Sequence, residues 1–248
     1  QTRDPRYYVP PERAVLWEDL LTLRRRDGLP GHAEAAGKTM LLKFNTGPTG
    51  HGSPPAAGEA FALKRAGVGD VRVFAFEGDA GLTAGASHEV KNVAWGLGLD
   101  NLYYVVDWND FGIDEHRVSE VVPGTPDDWF RPYGWRVASA AHGNEWGPVT
   151  SALLDMVYGP NPDGVPSVTW IKTRKGRGYI VLDNASHGKP HSPCSDLFWQ
   201  TKERFAEKYG VSFQGYCEPA PETADDHREQ TAANMDRVLG VLRDNQEL

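Results

Sequence analysis

The chain has 248 residues, of which 40% are apolar and 24% are charged, as is typical of a folded globular protein. Its 26 basic and 34 acidic residues leave a formal net charge of −8, which argues against a general nucleic-acid binder. No apolar run approaches the roughly 20 residues that span a bilayer, so we expect no membrane partner. Two cysteines, Cys194 and Cys217, are too few to staple a chain of this length. A reducing, cytoplasmic setting is the simpler interpretation.

Short runs of β-branched and aromatic residues alternate with helical patterns along the chain. The runs at 71–76, 102–106 and 168–171 are typical of buried strands. Apolar residues at helical spacing predict helices over 82–97 and 149–157. This alternation predicts an α/β fold, with a mainly parallel sheet and helices on both faces.

Three further helices are predicted from their end signals. One begins at Ser53, with Pro54 at its first position and Gly67 past its end, and one begins at Ser195 and stops at Gly210. A short amphipathic helix is predicted over 232–242. Two segments resemble connections: an acidic, turn-rich segment at 110–132 and a polar linker with two prolines at 214–230.

A glycine-rich segment directly precedes the helix at Ser53. Glycines allow close approach of the backbone to a ligand, and a helix N-terminus favours an anion such as a diphosphate. An ordinary turn that caps the helix is the alternative. The segment is not a P-loop, because no Gly-Lys-Ser/Thr follows it. It reads Thr46-Gly47-Pro48-Thr49-Gly50-His51-Gly52.

Two polar side chains follow neighbouring predicted strands. Asp79 comes after the first strand and Asn109 after the second, 30 residues later. If these strands are neighbours, both side chains lie at the carboxyl edge of the sheet, where open α/β folds bind ligands. With a backbone carbonyl such as that of Phe111, they would form a hard oxygen site for Mg²⁺ or Ca²⁺ that also holds phosphate oxygens. The alternative is that both residues only form turns.

Several motifs, in one order, resemble the diphosphate-binding domain of transketolases. Gly78-Asp79 followed by Asn109 is similar to the thiamine-diphosphate signature, GDG then N. The resemblance covers about 30–213 and includes the segment 46–52, where the family has TGPLGQG. Further matches are PGHAE at 30–34, SHEV at 87–90, KTRKGRG at 172–178 and SHG at 186–188.

The resemblance implies a role for each matching residue. Asp79 and Asn109 would bind the metal through side chains, and Phe111 through its carbonyl. The catalytic candidates are His32, facing the substrate channel, and His187, reaching the diphosphate or the donor substrate. His32 could instead be a solvated turn residue, and His191 is an alternative to His187. The residues expected near the cofactor are Gly47, Gly50, His51, Gly78, Asp79, Ala80, Asn109 and His187.

The sequence departs from the family pattern at two positions. Ala80 replaces the third glycine of the signature, which the loop tolerates if its φ is negative. Ala84 stands where transketolases commonly carry a glutamate of a proton network between subunits.

The resemblance also implies a partner, because a glutamate on a pyrimidine-binding domain activates the cofactor in this family. The expected division is an N-terminal extension at 1–29, a thiamine-diphosphate-binding domain at 30–213, and a linker and C-terminal helix at 214–248. No part of this division supplies the pyrimidine-binding domain.

The resulting interpretation is the diphosphate-binding half of a transketolase-like transferase, dependent on thiamine diphosphate and Mg²⁺. It would transfer a two-carbon ketol unit between sugars or sugar phosphates, within a two-fold homo- or hetero-oligomer. Two alternatives stay open. One is the decarboxylating component of a 2-oxoacid dehydrogenase, and the other is a non-catalytic cofactor-binding subunit.

Overall fold

A computed structural model describes residues 14–32, 38, 42, 44 and 50–245. The chain divides into two compact units. The sheet unit comprises Phe44–Lys175 and Leu182–His187, and the helical unit comprises Gln1–Lys43, Gly176–Val181 and Gly188–Leu248. The glycine segment at 46–49, including Gly47, lies outside the described residues.

The sheet unit is built on four parallel strands. They are β1 (Val73–Gly78), β2 (Leu102–Trp108), β3 (Arg136–Ala140) and β4 (Ser167–Lys172), in the order β1-β2-β4-β3. Gly78 at the end of β1 pairs with Asp107 near the end of β2. Because all strands run the same way, their carboxyl ends meet at one edge, as the α/β prediction requires.

Helices cover both faces of this sheet. The main helices of the unit are α1 (Ser53–Arg65), α2 (Gly85–Gly96), α3 (Val118–Val121), α4 (Pro126–Phe130) and α5 (Trp146–Tyr158). Three 3-10 helices accompany them at Asp79–Thr83, Arg131–Tyr133 and Asp183–Ser186. Alternate residues of β2 belong to two apolar clusters, one with α1, α2 and α4 and the other with α5. The predicted coverage of both faces is therefore confirmed.

β2 is the central strand, and its side chains form the core. Tyr104 is fully buried, and its ring lies edge-on to Phe130 and Trp135, with centroids 5.8 and 4.9 Å away. Such edge-to-face pairs add to the free energy gained from burying the rings. This packing fixes β2, and with it the loop that follows its carboxyl end.

The helical unit contains the 3-10 helix Trp17–Thr22 and two long helices, α6 (Asp196–Tyr209) and α7 (Ala224–Asp244). The predicted start of α6 is confirmed, because the Ser195 hydroxyl accepts a hydrogen bond from the Phe198 amide at 3.3 Å. Its predicted stop is also confirmed, with Gly210 at φ +66°. The part of the chain that the structure describes has no helix long and apolar enough to cross a membrane.

Two local predictions were wrong. The segment 214–230 is a linker only in its first part, because α7 begins at Ala224 and is therefore longer than the predicted helix. The Thr223 side chain caps it by accepting a hydrogen bond from the Asp226 amide at 3.1 Å. Strand β3 was missed, because its sequence, Arg-Val-Ala-Ser-Ala, lacks the apolar run of a buried strand. β3 is an edge strand, where such a run is not required.

Lys91 on α2 is buried without an acidic partner among its described contacts. Its Nζ lies 4.7 Å from the ring centroid of Phe130 and 5.7 Å from those of Trp129 and Tyr133. Burial lowers the pKa of the Lys91 ammonium from 10.5 to about 8. The charge is therefore held by aromatic faces alone, and it costs stability when protonated.

Lys91→Met removes this charge and keeps the length of the side chain. Since the pKa of Lys91 is about 8 when folded and 10.5 when unfolded, the wild-type protein gains stability as the pH rises through that window. We expect urea unfolding to show K91M more stable than wild type by about 2 kcal/mol near pH ~7, a gap that narrows toward pH ~10.

The exposed Lys64→Met on α1 is the matched control, and its stability difference should not narrow in this way. If K91M were instead less stable than wild type at neutral pH, the aromatic contacts would outweigh the cost of burial.

Candidate active site at the carboxyl edge of the sheet

Asp79 is the buried centre of the carboxyl edge. It begins the 3-10 helix that follows β1, and the residue is only 2% exposed. Its Oδ1 accepts a hydrogen bond from the Ala80 amide at 2.8 Å, and its Oδ2 accepts one from the Asp110 amide. Burial raises the pKa of Asp79, the two amides oppose that effect, and the charges of Asp107 and Asp110 add to it. A cation beside this carboxylate would therefore be stabilising.

Asn109 lies in the loop that this bond joins to Asp79. Its Oδ1 accepts a hydrogen bond from the Phe111 amide at 3.0 Å, and its Nδ2 donates to Asp107 Oδ2 at 3.2 Å. The β1–β2 register, with Gly78 opposite Asp107, explains why the two loops meet. The structure thus brings the predicted pair, Asp79 and Asn109, to one place.

The third predicted oxygen, the Phe111 carbonyl, belongs to the same loop. It accepts a hydrogen bond from Lys175 Nζ at 3.2 Å, and the Gly112 carbonyl accepts a second from the same ammonium. Burial lowers the pKa of Lys175, whereas the charges of Asp79 and Asp107 raise it. A lysine ammonium therefore lies against the oxygen that was predicted to bind the metal.

Asp110 closes this loop. Its φ of +72° is unusual for a residue other than glycine, although aspartate tolerates it better than most. The Asp110 carboxylate accepts hydrogen bonds from the Ser119 amide at 2.9 Å and the Ser119 hydroxyl at 2.8 Å, which caps the first turn of α3. Because its own amide donates to Asp79, Asp110 connects α3 to the buried carboxylate.

These oxygens fit a divalent cation such as Mg²⁺. One carboxylate, one amide oxygen and one carbonyl are the hard ligands that such ions prefer in phosphate sites, with water and phosphate completing the shell. Within the described residues, no cluster of three or more His, Cys, Asp or Glu could hold a metal. The fit therefore rests on the mixed set of Asp79, Asn109 and Phe111, brought together by the Asp110 amide.

The glycine segment meets this edge through Gly50. Its φ is +75°, and a Cβ there would lie 2.6 Å from the Ala84 Cβ and 2.8 Å from the Gly81 carbonyl oxygen. Only glycine fits such a contact. His51 next to it is exposed. The described end of the predicted diphosphate loop thus packs directly on the turn that starts at Asp79.

The first turn of α1 has fewer free amides than the sequence argument assumed. Positions two and three of the helix are Pro54 and Pro55, which have no N–H, and the Ala56 amide donates to the Gly52 carbonyl at 3.2 Å. The Ser53 hydroxyl donates to Glu77 Oε1 at 2.6 Å. Anion binding here would therefore depend on the glycine segment more than on the helix end.

The glycine-rich signature itself leaves room for a ligand. A Cβ on Gly78 would meet no described atom within 4 Å, so this position faces open space. Ala80 lies inside the 3-10 helix and is not among the described residues with positive φ, so the third glycine of the signature is not required for its backbone. The Ala80 methyl does narrow the site, because it would lie 3.2 Å from a Cβ on Gly112.

The candidate histidines fall in different parts of the chain. His187 is an exposed residue of the sheet unit, directly after the 3-10 helix Asp183–Ser186. His32 is an exposed residue of the helical unit, in a bend. His191, also in the helical unit, stacks on Tyr179 with ring centroids 4.0 Å apart, and its Nε2 lies 2.9 Å from the Tyr179 carbonyl oxygen. His191 is thus engaged by Tyr179, whereas the ring of His187 is exposed.

Sequence reasoning gave no role to Asp110 or Lys175. Asp110 accepts its hydrogen bonds from a residue nine positions away, and Lys175 reaches a loop more than 60 positions away. A local pattern does not contain such contacts. The one available signal was a cationic residue in the glycine turn that follows β4.

Comparison with known proteins identifies the family. Residues 17–232 match the family model described as transketolase, thiamine diphosphate binding domain. The chain belongs to this family.

Individual transketolases show the same relationship. Transketolase 2 of Xanthobacter flavus is 35% identical over 173 residues, which are 65% of this chain and 24% of that protein. An apulose-4-phosphate transketolase subunit of Actinobacillus succinogenes is 30% identical over 187 residues, 75% of this chain and 65% of that protein. The chain thus spans less than two thirds of each of these transketolases.

A solved structure supports the fold. The transketolase of Campylobacter jejuni subsp. jejuni superimposes with a TM-score of 0.66 and 25% identity, over 91% of this chain and 34% of that one. The α/β fold of the transketolase cofactor domain is therefore the fold of this chain.

The two neighbouring histidines should respond differently to substitution. His187→Ala removes an exposed ring, so we expect little change in melting temperature but reduced turnover by the assembled enzyme. His191→Ala removes a ring stacked on Tyr179, so we expect a stability loss of about 1 kcal/mol. Thermal melting and steady-state kinetics of both variants test this. A large stability loss with normal turnover in H187A would contradict the assignment.

Proposed function

We propose that this chain is the diphosphate-binding half of a thiamine-diphosphate- and Mg²⁺-dependent transketolase. It transfers a two-carbon ketol unit between sugar or sugar-phosphate substrates. The observation that carries the proposal is the Asp110 amide–Asp79 carboxylate bond, which brings Asp79 and Asn109 together within a chain of the matching family. The same match favours a transketolase over a 2-oxoacid dehydrogenase component.

The residues of the carboxyl edge have distinct tasks in this proposal. Asp79 and Asn109 bind Mg²⁺ through their side-chain oxygens, and Phe111 through its carbonyl. The diphosphate lies near Gly78, Ala80 and the glycine segment, which includes Gly47, Gly50 and His51.

Thiamine diphosphate supplies the carbon nucleophile when it is bound. The protein fixes its diphosphate by charge and by close approach of the backbone. His187 binds the diphosphate or the donor sugar, and His32 faces the substrate channel.

The active site needs a second part. We propose a pyrimidine-binding domain or subunit, which carries the catalytic glutamate and completes a two-fold homo- or hetero-oligomer. Support comes from the length relation to the matched transketolases, one of which is named as a separate subunit of its enzyme. Large apolar side chains are also exposed, such as Phe76 at 76% and Trp146 at 90%, as expected of a docking surface.

We place the enzyme in the cytoplasm, away from nucleic acid and membranes. Cys194 and Cys217 are both free thiols, which agrees with a reducing compartment.

The first test concerns the metal. Asp79→Ala and the isosteric Asp79→Asn should weaken binding of thiamine diphosphate in Mg²⁺ by about a hundredfold or more, since even changes around metal ligands cost 10–100-fold. Asn109→Leu should show a smaller loss. Calorimetry measures the affinity, and circular dichroism checks the fold.

Asp100→Ala is the matched control, because it removes a carboxylate just before the opposite end of β2. A folded D79N protein with wild-type affinity for the cofactor in Mg²⁺ would contradict the metal assignment.

The second test concerns assembly. The purified chain alone should be inactive on ketose phosphates and on 2-oxo acids, because it lacks the glutamate that activates the cofactor. Addition of the complementary chain or domain should restore activity in a complex with two copies of each part. Activity assays and mass measurement of the single chain and of a one-to-one mixture decide the matter. Full turnover by the homogeneous 248-residue chain would defeat the proposal of a half site. An inactive mixture that still binds the cofactor would favour a non-catalytic role.

A further inference from the structure

Lys175 is the cation of the carboxyl edge that sequence reasoning overlooked. It lies three residues beyond the end of β4, and its Nζ donates to the Phe111 carbonyl at 3.2 Å and to the Gly112 carbonyl. Asp79 and Asp107 are close enough to favour its charged form. Two neutral carbonyls therefore hold an ammonium beside two carboxylates.

The backbone of Lys175 is anchored, whereas its side chain can rotate. The Lys175 carbonyl accepts a hydrogen bond from the Asp183 amide at 2.9 Å. The preceding Arg174 lies 3.3 Å from the Asp183 carboxylate. A lysine carries three donors on a flexible stem, so its ammonium can change partners without a shift of the main chain.

An ammonium and a divalent ion compete for the same carbonyl. In the proposed site, Mg²⁺ takes the Phe111 oxygen that Lys175 now contacts. Like charges at that distance repel, so the ammonium must leave when the ion binds. Diphosphate oxygens are charged and bind an ammonium better than neutral carbonyls do.

We infer that Lys175 is a tethered cation that yields the Phe111 carbonyl to the metal and then binds the diphosphate, which couples the two binding events. This inference rests on the proposed function. It assigns Lys175 two opposite effects: the ammonium opposes binding of the divalent ion alone, and it favours binding of the diphosphate once the ion is present. A purely structural lysine would not produce both signs.

Lys175→Met tests both signs. Titration of Mn²⁺ alone, followed by electron paramagnetic resonance, should show about threefold or tighter binding to K175M, because the competing charge is gone. Calorimetry with inorganic pyrophosphate in saturating Mg²⁺ should show about tenfold or weaker binding, the usual loss for a hydrogen bond from a charged group. Lys175→Arg should restore part of the pyrophosphate affinity.

Arg174→Met is the matched control, because it removes a neighbouring positive charge that pairs with Asp183 instead of the Phe111 loop. We expect smaller changes there, with no opposition of sign. Circular dichroism and urea unfolding of each variant verify the fold.

The outcomes separate this inference from the proposed function. Unchanged or weaker Mn²⁺ binding by folded K175M, or unchanged pyrophosphate binding, overturns the role of Lys175 while the wild-type affinities still support the proposed site. A wild-type chain that binds neither Mn²⁺ nor pyrophosphate overturns both.

Discussion

The hydrogen bond from the Asp110 amide to the Asp79 carboxylate is the constraint on which this site depends. It joins the loop after β1 to the loop after β2, and the parallel register makes it geometrically available. Asp110 reaches this position only with a positive φ, which the bonds to Ser119 stabilise. The buried core under β2 therefore determines where two polar loops meet.

The same bond leaves a buried negative charge that is only partly neutralised. Two amides stabilise the Asp79 carboxylate, but burial still raises its pKa, and Asp107 and Asp110 add to the negative potential. A site of this kind attracts cations. Lys175 and the proposed Mg²⁺ are two answers to one electrostatic demand, and an anion that binds with the metal completes the balance of charge.

Much of this arrangement could be predicted from the sequence, because it depends on local patterns. Apolar runs located β1, β2 and β4 to within about two residues, and turn residues at the ends of two strands identified Asp79 and Asn109. β3 escaped because an edge strand carries no apolar run. The start of α7 escaped because its first turns are polar throughout. The roles of Asp110 and Lys175 depend on contacts between distant segments, which no short pattern records.

The central claim is that the carboxyl edge of the sheet holds a divalent ion between Asp79 and Asn109. The most direct measurement is anomalous diffraction from crystals grown with Mn²⁺ and thiamine diphosphate, with data collected near the manganese edge. The account predicts one strong peak about 2.2 Å from an Asp79 oxygen and from the Asn109 side-chain oxygen, as expected for a small hard cation. Cofactor bound in the same crystals, with the peak away from both residues, would contradict it.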